Sequence, residues 1–204
     1  MKSLTAAPQP TLISFVWPQF SDSQSSSILR VFMIAVAGSL LLALSSKIQV
    51  PFYPVPMTMQ TFMVLTLAMV LGPRLGLASI ALWFAEGAAG LPVFAGTPEK
   101  GMGLAYMFGP TGGYILGFAL ATAVVGWLAE KGWDRHFTLT AMAMLIGNIA
   151  IYVPGLFVLG SIAGWDKPIL EWGMYPFLLG DLAKLALATS LLPMIWKILP
   201  RKKV

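Results

Sequence analysis

The chain has 204 residues, 57% of them apolar and only 10% charged, with a formal charge of +5, no cysteine and one histidine. A soluble domain carries about 25% charged residues and must cover most of its exterior with polar groups, so this composition excludes a water-soluble fold and makes lipid the solvent for most of the chain. Missing cysteines and a lone His136 exclude disulfides, thiolate catalysis and a Cys/His metal centre; no cofactor and no metal are expected.

In chain order, residues 1–27 hold Pro, Ser and Gln with one apolar patch, Phe15-Val16-Trp17, and lack a cleavable leader's long apolar run. They read as a cytoplasmic tail touching the membrane surface at most. The first apolar segment, 31–46, carries small residues at Ala35, Ser39 and Ala43. A spacing of four puts them on one stripe, where another backbone can approach closely: a helix of this chain or a different protein.

An outer loop, 47–56, leads to the second segment, 57–71. Gly72-Pro73-Arg74 then forces a tight turn into the third, 75–89, because Pro cannot continue the helical ladder and Gly tolerates the bend. These two segments are near 15 residues each, short of the roughly 20 needed to cross perpendicularly, and form a helical hairpin. Glu86 near the outer end of the third segment is either a carboxylate reaching the interface or a wall of a site.

A second outer loop, 90–110, ends in Gly109-Pro110-Thr111-Gly112-Gly113-Tyr114, where Thr111 is placed to cap the fourth segment, 111–129, and the helix N-terminus suits an anion. An inner loop holds His136 as a solvated residue rather than a proton relay. The fifth segment, 139–161, carries Asn148 and Tyr152 one turn apart, suited to a polar ligand or to a neighbouring helix. After a third outer loop, 163–175, the sixth segment, 176–199, contains Asp181 and Lys184. Three apart, they share a face and reach a common point. They form either a self-neutralising structural ion pair or a ligand site; little stability comes from burying such a pair, which favours the site. Residues 201–204 are a basic C-terminal tail, leaving 28–200 as a single membrane domain with neither an internal repeat nor a second domain.

The basic residues sit at segment ends instead of forming one face, so no nucleic-acid partner is expected. With a cytoplasmic N-terminus, the inner ends hold Lys2, Arg30, Arg74, Lys131, Arg135, Lys197, Arg201, Lys202 and Lys203, against Lys47, Lys100 and Lys167 outside. The positive-inside rule selects both termini in the cytoplasm and an even number of crossings. No Gly-x-x-x-x-Gly-Lys-Ser/Thr run occurs, so the chain has no P-loop, and the spans hold no Ser-His or His-Glu-x-x-His constellation. An enzyme is not expected.

Five stretches in order resemble one family. They are Pro54-Val55-Pro56-Met57-Thr58-Met59-Gln60-Thr61-Phe62, Leu71-Gly72-Pro73-Arg74-Leu75-Gly76, Gly90-Leu91-Pro92-Val93-Phe94-Ala95-Gly96, Gly109 to Phe118, and Pro176 to Lys184. Over roughly residues 39–192 the chain is similar to the BioY family, the biotin-specific substrate-binding (S) components of energy-coupling-factor (ECF) transporters. The resemblance implies an all-α, six-transmembrane-helix S-component bundle in the cytoplasmic membrane of a prokaryote. It implies high-affinity biotin capture from outside, with a transmembrane coupling protein and two cytoplasmic ATPases as partners. Ala35, Ser39 and Ala43 would lie at the coupling interface, Ser39 departing from the alanine that the family pattern prefers. An S component for another vitamin and a stand-alone facilitator are the alternatives.

Biotin has a ureido ring that donates and accepts hydrogen bonds, an apolar thiophane body and an anionic valerate tail. On the implied function, Asp181 accepts a ureido N–H and Lys184 donates to the ureido oxygen or the ligand's carboxylate, supplemented by Asn148 and Tyr152. Phe52, Tyr53, Phe94 and Tyr114 would sandwich the apolar body, Gln60 and Thr58 would close the site, and Glu86 is a further candidate.

Overall fold

Backbone polar groups in hydrocarbon must be satisfied within their own segment, so apolar runs of this length become helices. A computed structural model describes residues 9–17, 24–96 and 101–199, with the side chains of 24–26 left aside. Its helices are α1 (Leu12–Val16), α2 (Gln24–Lys47), α3 (Gln60–Ala88), α4 (Gly103–Met107), α5 (Gly112–Glu130), α6 (Phe137–Ala163), α7 (Ile169–Gly173) and α8 (Leu178–Ile198). Two short strands, β1 (Gln49–Val50) and β2 (Met57–Thr58), pair antiparallel between α2 and α3. Among the described residues, five stretches are long and apolar enough to cross a membrane, making this a multi-pass membrane protein.

One of those five, α3, is folded on itself. Gly72 adopts φ 76°, ψ 178°, a left-handed conformation natural only to glycine, and Pro73 follows with no N–H to continue the ladder. A Cβ placed on Gly76 would lie 3.8 Å from the Cα of Ala68, eight residues earlier, a separation of about 12 Å in a straight helix. The two halves are antiparallel neighbours, as the Gly-Pro-Arg turn predicts. Helix α6, with 27 residues, is about 40 Å long and exceeds the hydrocarbon thickness, so it tilts or protrudes.

The Gly72 end of the bundle is sealed by residues expected to form part of a tail. Leu12 is buried, the Gln9 N–H donates to the Glu130 carbonyl at 2.7 Å, and the Arg135 guanidinium donates to the Pro10 carbonyl at 3.1 Å. Phe15 meets Trp196 edge-on at 5.2 Å. The rest of the expected N-terminal tail up to residue 23, the tail 201–204 and Lys100 lie outside the described residues.

Helix α2 begins at Gln24, before the predicted 31, because its polar first turn has no apolar signal to distinguish it from the tail. Its small-residue stripe faces inward. Ala35 and Ser39 are buried, Ala43 packs on the core, and a Cβ at Gly38 would sit 2.3 Å from the Ser79 hydroxyl of α3. Of the two readings of the stripe, the close neighbour is a helix of this chain. On this stripe, expected at the coupling interface, Ala35, Ser39 and Ala43 face the interior of the chain, and the outward face of α2 is apolar, with Phe32, Leu40 and Leu44 exposed.

Candidate ligand cavity

At the end opposite Gly72, the helices surround an open, mostly apolar cavity. Gln60 and Trp83 both line it, although a straight α3 would hold them about 35 Å apart. The hairpin at Gly72 therefore builds the site from far away. The β1–β2 pairing folds residues 51–56 back so that Val55, Pro56, Met57 and Thr58 wall one side, in register Gln49 opposite Thr58 and Val50 opposite Met57.

The aromatic wall is fixed by packing rather than by chance contact. Phe94 is buried, stacks on Tyr106 with centroids 5.2 Å apart and meets Trp83 edge-on at 4.9 Å. Such pairs contribute about 0.5–1.5 kcal/mol each beyond area burial. The loop carrying Phe94 is tied down by Trp83, whose indole N–H donates to the Val93 carbonyl at 3.1 Å, and by the Lys47 ammonium, which donates to the Phe94 carbonyl at 3.0 Å. Gly87 makes the seat: a Cβ there would fall 2.0 Å from the Phe94 ring. Burial pushes the Tyr106 hydroxyl above its ordinary titration range, so it stays a neutral donor and acceptor.

One polar cluster is set into this apolar hollow. Asp181 and Lys184 on α8, Thr61 on α3 and Tyr152 on α6 all line the cavity. Lys184 Nζ donates to Asp181 Oδ1 at 3.1 Å and to Thr61 Oγ1 at 2.9 Å, while Thr61 donates to the same carboxylate oxygen at 3.3 Å. The Tyr152 hydroxyl donates to Asp181 Oδ2 at 2.5 Å. Both oxygens of the buried carboxylate are thus engaged, and Lys184 uses two of its three protons. The pair is an ion pair and also lines the cavity.

Tyr114 also lines the cavity; it is buried, donates to the Gly173 carbonyl at 2.8 Å and lies edge-on to Tyr152, ring centroids 6.2 Å apart. Gln60 and Thr58 line the cavity wall. Five other candidates are placed differently. Tyr53 is 86% exposed and points away. Phe52 stands behind the wall, 6.0 Å from the ring of Phe177, which does line it. Asn148 borders two neighbouring hollows beside Asp181 but does not line the aromatic cavity, and its Oδ1 has no hydrogen-bond partner among the described residues. Glu86 accepts a hydrogen bond from Ser39 and joins α3 to α2 outside the cavity. Thr111 makes no side-chain cap to α5; it lines the cavity and bonds Tyr106.

Sequence reasoning missed Thr61, Trp83, Tyr106 and Phe118 as lining residues. Thr61 had a usable signal, lying one residue after Gln60 in a quoted motif. The aromatics had none, because a lone ring in an apolar helix reads as core.

Comparison with known proteins agrees with this architecture. The BioY family profile matches residues 19–201. A probable biotin transporter BioY of Pyrococcus horikoshii is 38% identical over 148 residues, covering 72% of this chain and 85% of the relative. The biotin transporter BioY of Thermotoga maritima is 39% identical over 148 residues, again 72% and 85%. The fold is similar to the crystal structure of the S-component for biotin from an ECF-type ABC transporter, with a TM-score of 0.69 and 22% identity, covering 87% of this chain and 95% of that one.

Proposed function

The chain belongs to the BioY family, and on that premise we propose that it takes up biotin as the S component of an ECF transporter. It is a transport protein and not an enzyme, which fits a sequence without a P-loop: ATP is hydrolysed by two cytoplasmic ATPases, joined through a transmembrane coupling protein. The membrane is the cytoplasmic membrane of a prokaryote, with the cavity facing outward. Because α3 covers the small-residue face of α2, the outward apolar face of α2 is what this helix has left for the coupling protein.

The observation that carries the ligand reading is the Asp181–Lys184–Thr61–Tyr152 cluster set into an aromatic hollow. Biotin's ureido ring needs donors and acceptors side by side, and this cluster supplies both. The remaining Lys184 proton is offered to the ureido oxygen, and a ureido N–H displaces the Thr61 or Tyr152 hydroxyl from the Asp181 carboxylate. Phe94, Trp83 and Tyr114 hold the thiophane body. The valerate carboxylate then lies towards the α5 N-terminus beside Thr111, where the helix dipole favours an anion.

The test is titration of biotin into detergent-purified protein, comparing wild type with Asp181→Asn and Lys184→Met. Truncating one member of a buried pair costs about 3–5 kcal/mol, a loss of at least a hundredfold in affinity. Biotin amide should lose as much as biotin in both variants, since the carboxylate sits elsewhere. Unchanged biotin affinity in both variants would remove the site.

A further inference from the structure

We propose that the end of the bundle opposite the biotin cavity carries a second binding site, one for the phosphate headgroup of an anionic phospholipid. A cavity of about 320 Å³ opens there between the start of α6 and the last turns of α8. Arg135, His136 and Lys197 stand around it, and Thr189 and Ser190 form its polar wall.

Three features make it more than a solvated basic patch. Thr189 is 1% exposed and its hydroxyl has no hydrogen-bond partner among the described residues, although a buried hydroxyl left unpaired is costly. Arg135 is held in place: its guanidinium lies over the Trp196 ring at 4.4 Å and donates to the Pro10 carbonyl, while its Nε is buried with no partner among the described residues. Helix α6 begins at Phe137, a lining residue, without a side-chain cap, and the N–H groups of a helix's first turn have no partner within the helix. A donor set of guanidinium, ammonium, hydroxyl and helix N-terminus is chemistry for a phosphate oxygen. The carboxylate next to it, Asp134, is fully buried and turned to the Trp196 indole, which donates to it at 2.5 Å.

A lipid is the occupant, rather than free phosphate, because of what borders the cavity. Phe137 and Met194, both lining residues, are 61% and 55% exposed at the ends of two membrane-spanning helices, where acyl chains run. Basic pockets between such helices on the cytoplasmic side meet the anionic leaflet.

The experiment measures thermal melting of the purified full chain in neutral detergent with added phosphatidylglycerol, phosphatidylcholine of the same chain length, or inorganic phosphate. Phosphatidylglycerol should raise the melting temperature by several degrees, and phosphatidylcholine by less than half as much. Lys197→Gln and Thr189→Val should each lose at least half of the phosphatidylglycerol increment, measured from their own baselines, with biotin affinity unchanged. Lys197 is exposed, so its variant keeps the fold if Thr189→Val does not. Equal increments from both lipids, full increments in both variants, or the same increment from inorganic phosphate would each overturn the proposal.

Discussion

Thr61 is the hinge of the polar cluster: one hydroxyl donates to Asp181 and accepts from Lys184, so it braces both members of the ion pair at a shared point. Replacing it by Val keeps shape but removes both bonds. Biotin affinity should fall about tenfold or more, since hydrogen bonds to charged groups are worth about 1.5–3 kcal/mol, and calorimetric titration reads the change directly. The sequence announced Asp181 and Lys184 because a charge in oil is conspicuous and a spacing of three has only one geometric meaning. It was silent about Thr61, whose hydroxyl is ordinary in a membrane helix until a charge is seen beside it. Asp134 carries a different residue-scale consequence. Burial raises its pKa from the ordinary 3.8 to about 6, against the opposing pull of the Trp196 indole, Arg135 and His136. A carboxyl whose folded pKa lies above its unfolded one binds its proton more tightly in the fold. Its stabilising contribution is therefore complete below pH 3.8 and is lost as pH rises through about 6. Asp134→Asn keeps an acceptor for the indole and removes this titration. The melting temperature of wild type relative to that variant should drop between pH 4 and 7 and level off above; a constant difference would mean that Asp134 is charged throughout.

The elements divide into those that sequence patterns locate and those that depend on tertiary contact. Gly72-Pro73-Arg74 states its turn outright, and the structure puts φ 76° there. Gly72→Ala should destabilise the protein by about 1–2 kcal/mol from the left-handed backbone alone, with further strain where its Cβ would come 3.1 Å from the Thr11 methyl. A lowered melting temperature in detergent would register both. The first outer loop was less legible. Its Pro and aromatic content says that it is ordered, but the two-residue strand pairing that turns it back is too short for any alternation to declare. For that reason Tyr53, predicted in the sandwich, is outside it, and Phe52 supports the wall from behind. Gly87 gives the complementary test, because the Phe94 ring occupies the space of its missing side chain. Gly87→Ala should push Phe94 and its loop away from the helix and weaken biotin binding by on the order of tenfold, one wall of the pocket being worth about 1–2 kcal/mol. Preserved affinity would mean that the loop closes over the ligand without Phe94.

At the scale of the whole molecule, the two ends do opposite things. One end is plugged by residues 9–17, packed on Gly72, Glu130, Arg135 and Trp196, and holds Arg74, Lys131 and Lys197; the other opens into the aromatic cavity and holds Lys47 and Lys167. Lys and Arg near helix ends are favoured on the cytoplasmic side, so the charge asymmetry supports the proposed orientation, with the plug inside and the cavity outside. The chain has no cysteine, which makes the orientation directly measurable. Lys167→Cys sits in an exposed loop at the cavity end, and Lys131→Cys in an exposed turn at the plugged end. In intact cells a membrane-impermeant maleimide should label the first at once and the second only after permeabilisation. Neither position touches the polar cluster, so biotin binding should survive in both variants and certify that each protein is folded. If Lys131→Cys were the one labelled from outside, the cavity would face the cytoplasm, and a capture role would have to give way to one that handles biotin already inside the cell.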